Sequence, residues 1–70
     1  MSEQIHSTLT ILRRKQVEAR TGLSRSTIYA FIAEGIFPKP INLGDRAVGW
    51  IEAEIEAWLK SCIEVSRQSD

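Results

Sequence analysis

The stretch that most constrains this chain is Gly22-Leu-Ser-Arg-Ser-Thr-Ile-Tyr-Ala-Phe-Ile-Ala-Glu-Gly35. Glycine takes positive φ at almost no steric cost, so Gly22 suits the end of a preceding helix. Ser24 is a good N-cap, because its hydroxyl can accept from a first-turn N–H. The spacing predicts a helix from about Arg25 to Glu34, closed by Gly35. Ile28, Phe31 and Ile32 fall at i, i+3 and i+4, one stripe to be buried. Ser26, Tyr29, Ala30 and Ala33 lie on the other side, with Arg25 on the flank. That outer face is short, mostly uncharged and able to approach another surface closely. A helix of this kind, after a three-residue turn with a glycine, has the form of the second helix of a helix-turn-helix. An ordinary helical hairpin with a solvated face carries the same pattern, so the stretch alone leaves both readings open.

The rest of the chain narrows the choice. Seventy residues allow one small domain with a marginal core. An apolar content of 43% and a charged content of 26% fit a folded domain rather than a disordered one. No apolar run approaches the roughly 18 residues of a membrane helix, and no membrane partner is expected. Met1 to Thr8 lacks the basic and apolar regions of a signal peptide. Cys62 is the only cysteine, which excludes an intrachain disulfide and a zinc cluster. It reads as a small core residue, and the expected location is the cytoplasm. His6 stands near a terminus with no partner set and reads as a solvated side chain. There is no Gly-rich phosphate loop and no Cys/His metal spacing, and a Ser/His/Asp triad would have to use His6. The chain is therefore read as a non-enzyme without metal or cofactor.

Net charge is zero, which at first argues against nucleic acid. The distribution says otherwise. Residues 1–51 hold Arg13, Arg14, Lys15, Arg20, Arg25, Lys39 and Arg46 against Glu3, Glu18, Glu34 and Asp45, a net +3. Residues 52–70 hold Lys60 and Arg67 against Glu52, Glu54, Glu56, Glu64 and Asp70, a net −3. The helix-turn-helix candidate thus sits in the basic part.

In chain order, residues 1–7 have no pattern and are expected to fray. Thr8 to Ile11 alternates and suggests a short strand, or at least Leu9 and Ile11 packed on the core. A first helix is expected from near Arg14 to Thr21, with Val17, Ala19 and Thr21 as its candidate inward residues. Its start is unusual, because Arg13, Arg14 and Lys15 crowd the positive end of the helix dipole and no Ser, Thr, Asp or Asn caps it. Such an end suits an anion such as phosphate, or is a solvated basic cluster. Pro38 and Pro40 exclude helix from the next segment, which Phe37 anchors. Residues 41–50 read as a hairpin, with Ile41, Leu43, Val48 and Trp50 alternating about the turn Gly44-Asp-Arg-Ala47. Arg46 then lies near the tip of a two-stranded wing, where it can reach a backbone or a minor groove, or merely aid solubility. The last helix runs from near Glu52 to about Val65, its apolar stripe formed by Ile51, Ile55, Trp58, Leu59 and Cys62. Trp50 and Trp58 read as core, and residues 66–70 as a frayed end. The fold expected is mainly α with a small β-hairpin, a winged helix-turn-helix over residues 8–65.

Five segments in one order carry a family resemblance. They are Leu12-Arg-Arg-Lys-Gln-Val17, Thr21-Gly-Leu-Ser-Arg-Ser-Thr-Ile-Tyr29, Glu34-Gly-Ile-Phe-Pro-Lys-Pro40, Gly44-Asp-Arg-Ala-Val-Gly-Trp50 and Glu54-Ile-Glu-Ala-Trp-Leu59. Together they resemble the AlpA family of prophage regulators, itself similar to the excisionase and MerR-type winged helix-turn-helix group. The resemblance covers residues 9 to 62. It implies a small protein of phages and integrated elements that binds double-stranded DNA and activates integrase-type genes or assists excision. It also implies that the helix over Ser24 to Ala33 enters the major groove while the wing around Arg46 touches an adjacent groove or backbone. Arg25, Ser26, Thr27 and Tyr29 match the family's recognition-helix start. Many members have a basic residue after this tyrosine; here it is Ala30. Arg25 is left as the only long bidentate donor on the helix, with Ala30 or Ala33 available to a thymine methyl. Specificity is then expected to lean on DNA shape or on several copies side by side.

The function read from the sequence is a sequence-specific DNA-binding transcriptional regulator. Arg13, Arg14, Lys15, Arg20, Lys39 and Arg46 are its phosphate contacts, and Arg25, Ser26 and Tyr29 its main readers. Ser24 caps the helix, and Thr27 contacts phosphate or supports the cap. Two alternatives stand beside it. One is an architectural excision factor that bends DNA for an integrase or recombinase. The other is a protein-interaction or anti-repressor module acting through Glu54, Glu56 and Glu64 on the last helix. A homodimer or cooperative multimer on DNA is expected, because one such reader spans few base pairs.

Overall fold

The computed structural model describes residues 9–68 of the chain. The elements are β1 (Ile11–Leu12), α1 (Arg14–Thr21), α2 (Arg25–Glu34), β2 (Ile41–Asn42), β3 (Val48–Ile51) and α3 (Glu52–Gln68). This is a winged helix-turn-helix, as the sequence predicts. The expectations about residues 1–7 and His6 lie outside the described residues.

Local chemistry explains the helix ends. α1 begins without a conventional cap, and Gln16 supplies one from inside the helix. Its Oε1 accepts from the Arg13 backbone N–H at 2.8 Å, the second half of a capping box. At the other end Gly22 adopts φ 75° and donates its N–H to the Glu18 carbonyl at 2.8 Å. Thr21 ties the turn on both sides: its hydroxyl donates to the Val17 carbonyl at 2.8 Å and accepts from the Leu23 N–H at 3.2 Å. α2 opens on Ser24, whose Oγ accepts from the Thr27 N–H at 3.3 Å. It closes on Gly35, with φ 79°.

The sheet has three antiparallel strands in the order β1-β3-β2. The hairpin is present, with Ile41 opposite Gly49 and Asn42 opposite Val48. It closes where the Leu43 N–H donates to the Ala47 carbonyl at 2.8 Å. The wing is wider than the expected ribbon, because β1 joins β3 with Ile11 opposite Ile51 and Leu12 opposite Trp50. The Glu52 N–H continues this edge to the Thr10 carbonyl at 2.8 Å, so β3 passes into α3 without a loop. This register makes Leu12, not Leu9, the inward residue of the first segment. Leu9 is 69% exposed, against the expectation, and on α1 Ala19 is likewise exposed while Val17 is buried and Thr21 half-buried.

The core takes one residue from nearly every element: Leu12, Val17, Ile28, Phe37, Trp50 and Ile55 are all buried. Both tryptophans pack and also use their polar edge. The Trp50 indole donates to the Pro38 carbonyl at 3.0 Å and the Trp58 indole to the Ile36 carbonyl at 2.6 Å. Together with Phe37, whose ring meets Trp58 edge-on at 4.8 Å, they fix the proline segment that feeds the wing. The last helix departs from expectation in two ways. It continues to Gln68 rather than stopping near Val65. Cys62 is exposed rather than buried. The stripe does face inward, but residues 60–68 extend past the globule and are all exposed.

Candidate nucleic-acid interface

The β1–β3 pairing has a consequence for charge. Leu12 is pinned opposite Trp50, so Arg13, Arg14 and Lys15 emerge beside the wing. Arg13, Arg14, Lys15, Tyr29, Arg46 and Val48 line a single cleft of about 260 Å³. Three elements meet there: the start of α1, the outer face of α2 and the wing. The start of α1 adds the positive end of its helix dipole. A cleft with this lining favours an anion with several acceptor oxygens, such as a phosphate.

The cations in the cleft are not equivalent. Arg13 donates through Nε to the Val48 carbonyl at 3.1 Å. Arg14 pairs with Glu18 at 2.5 Å, one turn along α1, which offsets part of its charge. Lys15 and Arg46 have no hydrogen bond or ion pair among the described residues. Tyr29 stands its ring edge-on to Trp50, with centroids 6.4 Å apart and an interplanar angle of 63°. Its aromatic body is thereby placed by the core while the residue remains 39% exposed.

The outward face of α2 matches the sequence reading. Arg25, Ser26, Tyr29, Ala30 and Ala33 are exposed, while Ile28 is fully buried. Tyr29 belongs to both this face and the cleft, so the two adjoin. Arg25 has no ion pair or hydrogen bond among the described residues. The hydroxyls at the helix start form a small cluster: Ser24 Oγ lies 3.0 Å from Thr27 Oγ1 and 3.4 Å from Ser26 Oγ. Thr27 is half-buried, and its backbone N–H and hydroxyl both meet the Ser24 hydroxyl.

Two of the expected phosphate contacts stand elsewhere. Arg20 places its guanidinium 2.7 Å from Glu52 and 3.6 Å from Glu56. It ties α1 to α3. Lys39 lines a separate shallow groove between the proline segment and α3, alongside Glu54 and Trp58. Three participants went unnoticed in the sequence. Gln16 stands three residues after Arg13, the capping-box interval, and Glu18 four after Arg14, the helical pairing interval, so both were available to local reasoning. The carbonyl of Val48 was not, because only the folded sheet brings it to Arg13.

Comparison with known proteins bears on this interface. Residues 10–63 match the family described as Prophage CP4-57 regulatory protein (AlpA). A 59-residue alignment, covering 76% of the chain, is 44% identical to the DNA-binding transcriptional activator AlpA of Escherichia coli strain K12 and covers 84% of that protein. A 48-residue alignment, covering 69% of the chain, is 46% identical to the uncharacterized protein ORF88 of Enterobacteria phage P4. It spans only 54% of the phage protein's length.

Proposed function

The chain belongs to the AlpA family of prophage regulatory proteins, and on that premise we propose that it binds double-stranded DNA as a transcriptional regulator of an integrated element. The observation that carries the reading is the convergence of Arg13, Arg14, Lys15 and Arg46 on one cleft that adjoins the outward face of α2. In this reading α2 enters the major groove. Arg25 is its long donor to base edges, Ser26 and Tyr29 make shorter contacts, and Ala30 and Ala33 allow close approach to thymine methyl groups. Arg14, Lys15 and Arg46 hold backbone phosphates beside the groove, and the wing follows the duplex on the same side. The relative named as a transcriptional activator supports gene control as the job. Integrase and excision genes are the proposed targets, and the cytoplasm is the proposed location. Binding is expected as a dimer or as copies set side by side.

Footprinting across the integrase gene and attachment region of the element that carries this chain tests the reading. The expected result is protection of one or a few short sites, weakened and blurred by Arg25→Ala. If Arg25→Ala left both affinity and site preference untouched, α2 would not be the reading element.

A second reading keeps the DNA and changes the job to an architectural excision factor. The thin base-reading surface of α2, with one long donor, favours it. DNA bending and recombination assays with the element's integrase separate the two. The protein-interaction reading predicts that charge reversal at Glu54, Glu56 and Glu64 abolishes function while reversal at Lys15 and Arg46 does not. The DNA reading predicts the opposite.

A further inference from the structure

The cleft contains a cation that its contacts set apart from the others. Arg13 is the residue between β1 and α1, and its backbone N–H is already held by Gln16 at 2.8 Å. Its side chain turns toward the wing, where Nε donates to the Val48 carbonyl at 3.1 Å. Val48 opens β3, opposite Asn42, just after the turn that carries Arg46. Arg13 therefore joins the fixed start of α1 to the root of the wing. Lys15 and Arg46, lining the same cleft, make no such contact among the described residues.

We infer that Arg13 is a positioning residue, which holds the wing root so that Arg46 stands at the phosphate reached by the cleft. The inference rests on the DNA reading above and assigns Arg13 a role through Arg46 instead of an independent phosphate contact. Physical chemistry supports it. The wing hangs on a two-residue strand and a short turn, and an arginine's planar fork fixes direction better than a flexible ammonium. Without the Arg13 tie, the Arg46 side chain keeps its charge but loses its fixed place, and the entropy cost of ordering it falls on binding.

A double-mutant cycle read through salt dependence tests this. Affinity for a mixed-sequence duplex is measured at several salt concentrations for the full chain and for Arg13→Met, Arg46→Ala and the double variant. Each lost phosphate contact flattens the log–log slope by about 0.9. The inference predicts that Arg13→Met and Arg46→Ala each flatten the slope by about that amount and that the double variant flattens it no further. Additive loss in the double variant would overturn it, because Arg13 would then neutralise a phosphate of its own. An Arg46→Ala slope equal to the parent's would overturn it as well, while leaving the DNA reading standing. No salt-dependent binding by the parent would instead sink the DNA reading itself. If Arg13→Met does not fold by circular dichroism, Arg13→Lys takes its place in the cycle. Coupling to Arg46 is again expected, and additivity again overturns the inference.

Discussion

Gly49 shows how much one hydrogen atom matters in this sheet. It is buried in β3 opposite Ile41. A Cβ there would strike the Ile11 side chain and lie 3.0 Å from Leu43 Cδ1 and 3.1 Å from the Leu12 carbonyl. The carbonyl cannot swing aside without loosening the β1–β3 pairing. Gly49→Ala should destabilise the fold by about 1–3 kcal/mol, the range for overpacking. A denaturant midpoint unchanged by the substitution would contradict the packing described. Arginines separate at the same scale. Arg20→Met should leave the salt dependence of DNA binding as it is, since its guanidinium already faces Glu52 and Glu56. Its stability cost should stay within about 1 kcal/mol, because the pair is partly exposed and screened. Arg46→Ala should flatten the salt slope by about 0.9 with little change in stability. A reversed pattern would mean that the wrong arginine faces the DNA.

At the scale of the element, α2 was legible because every signal that makes it is local. Gly22, Ser24, the Ile28-Phe31-Ile32 stripe and Gly35 act within a turn or two of one another. Ser24→Ala should cost about 1 kcal/mol of stability through the lost Thr27 N–H contact, measured as a lower thermal midpoint. No shift in that midpoint would show the cap to be dispensable. The wing was legible only in part. The hairpin declares itself by alternation about Gly44-Asp-Arg-Ala47, whereas the pairing of Ile11 with Ile51 joins residues separated by both helices of the helix-turn-helix and the hairpin. No local pattern announces such a partner, and the misplacement of Leu9 follows from it. α3 makes a related point. Periodicity placed Cys62 on the stripe of Trp58 and Leu59, yet Cys62 is exposed. The pattern did not tell how far along the helix the rest of the globule extends to cover it.

For the whole molecule, the zero net charge is less informative than its separation. Arg13, Arg14, Lys15 and Arg46 gather where α1, α2 and the wing meet, and Glu52, Glu54, Glu56 and Glu64 lie along α3, two of them paired with Arg20. That separation was visible in sequence, and so was the cluster Arg13-Arg14-Lys15 at a helix start. What sequence did not resolve was the division of labour inside it: a tie to the wing, a partly neutralised pair, and two cations left for an outside anion. This face is proposed to bind DNA and to prefer a site. The direct test is titration of the purified chain against fragments of the integrase-gene and attachment region, beside a mixed-sequence duplex, over a range of salt. Tighter binding to one fragment is expected, with a log–log slope that reflects several phosphates. Absence of binding to any duplex at low salt would contradict the proposal.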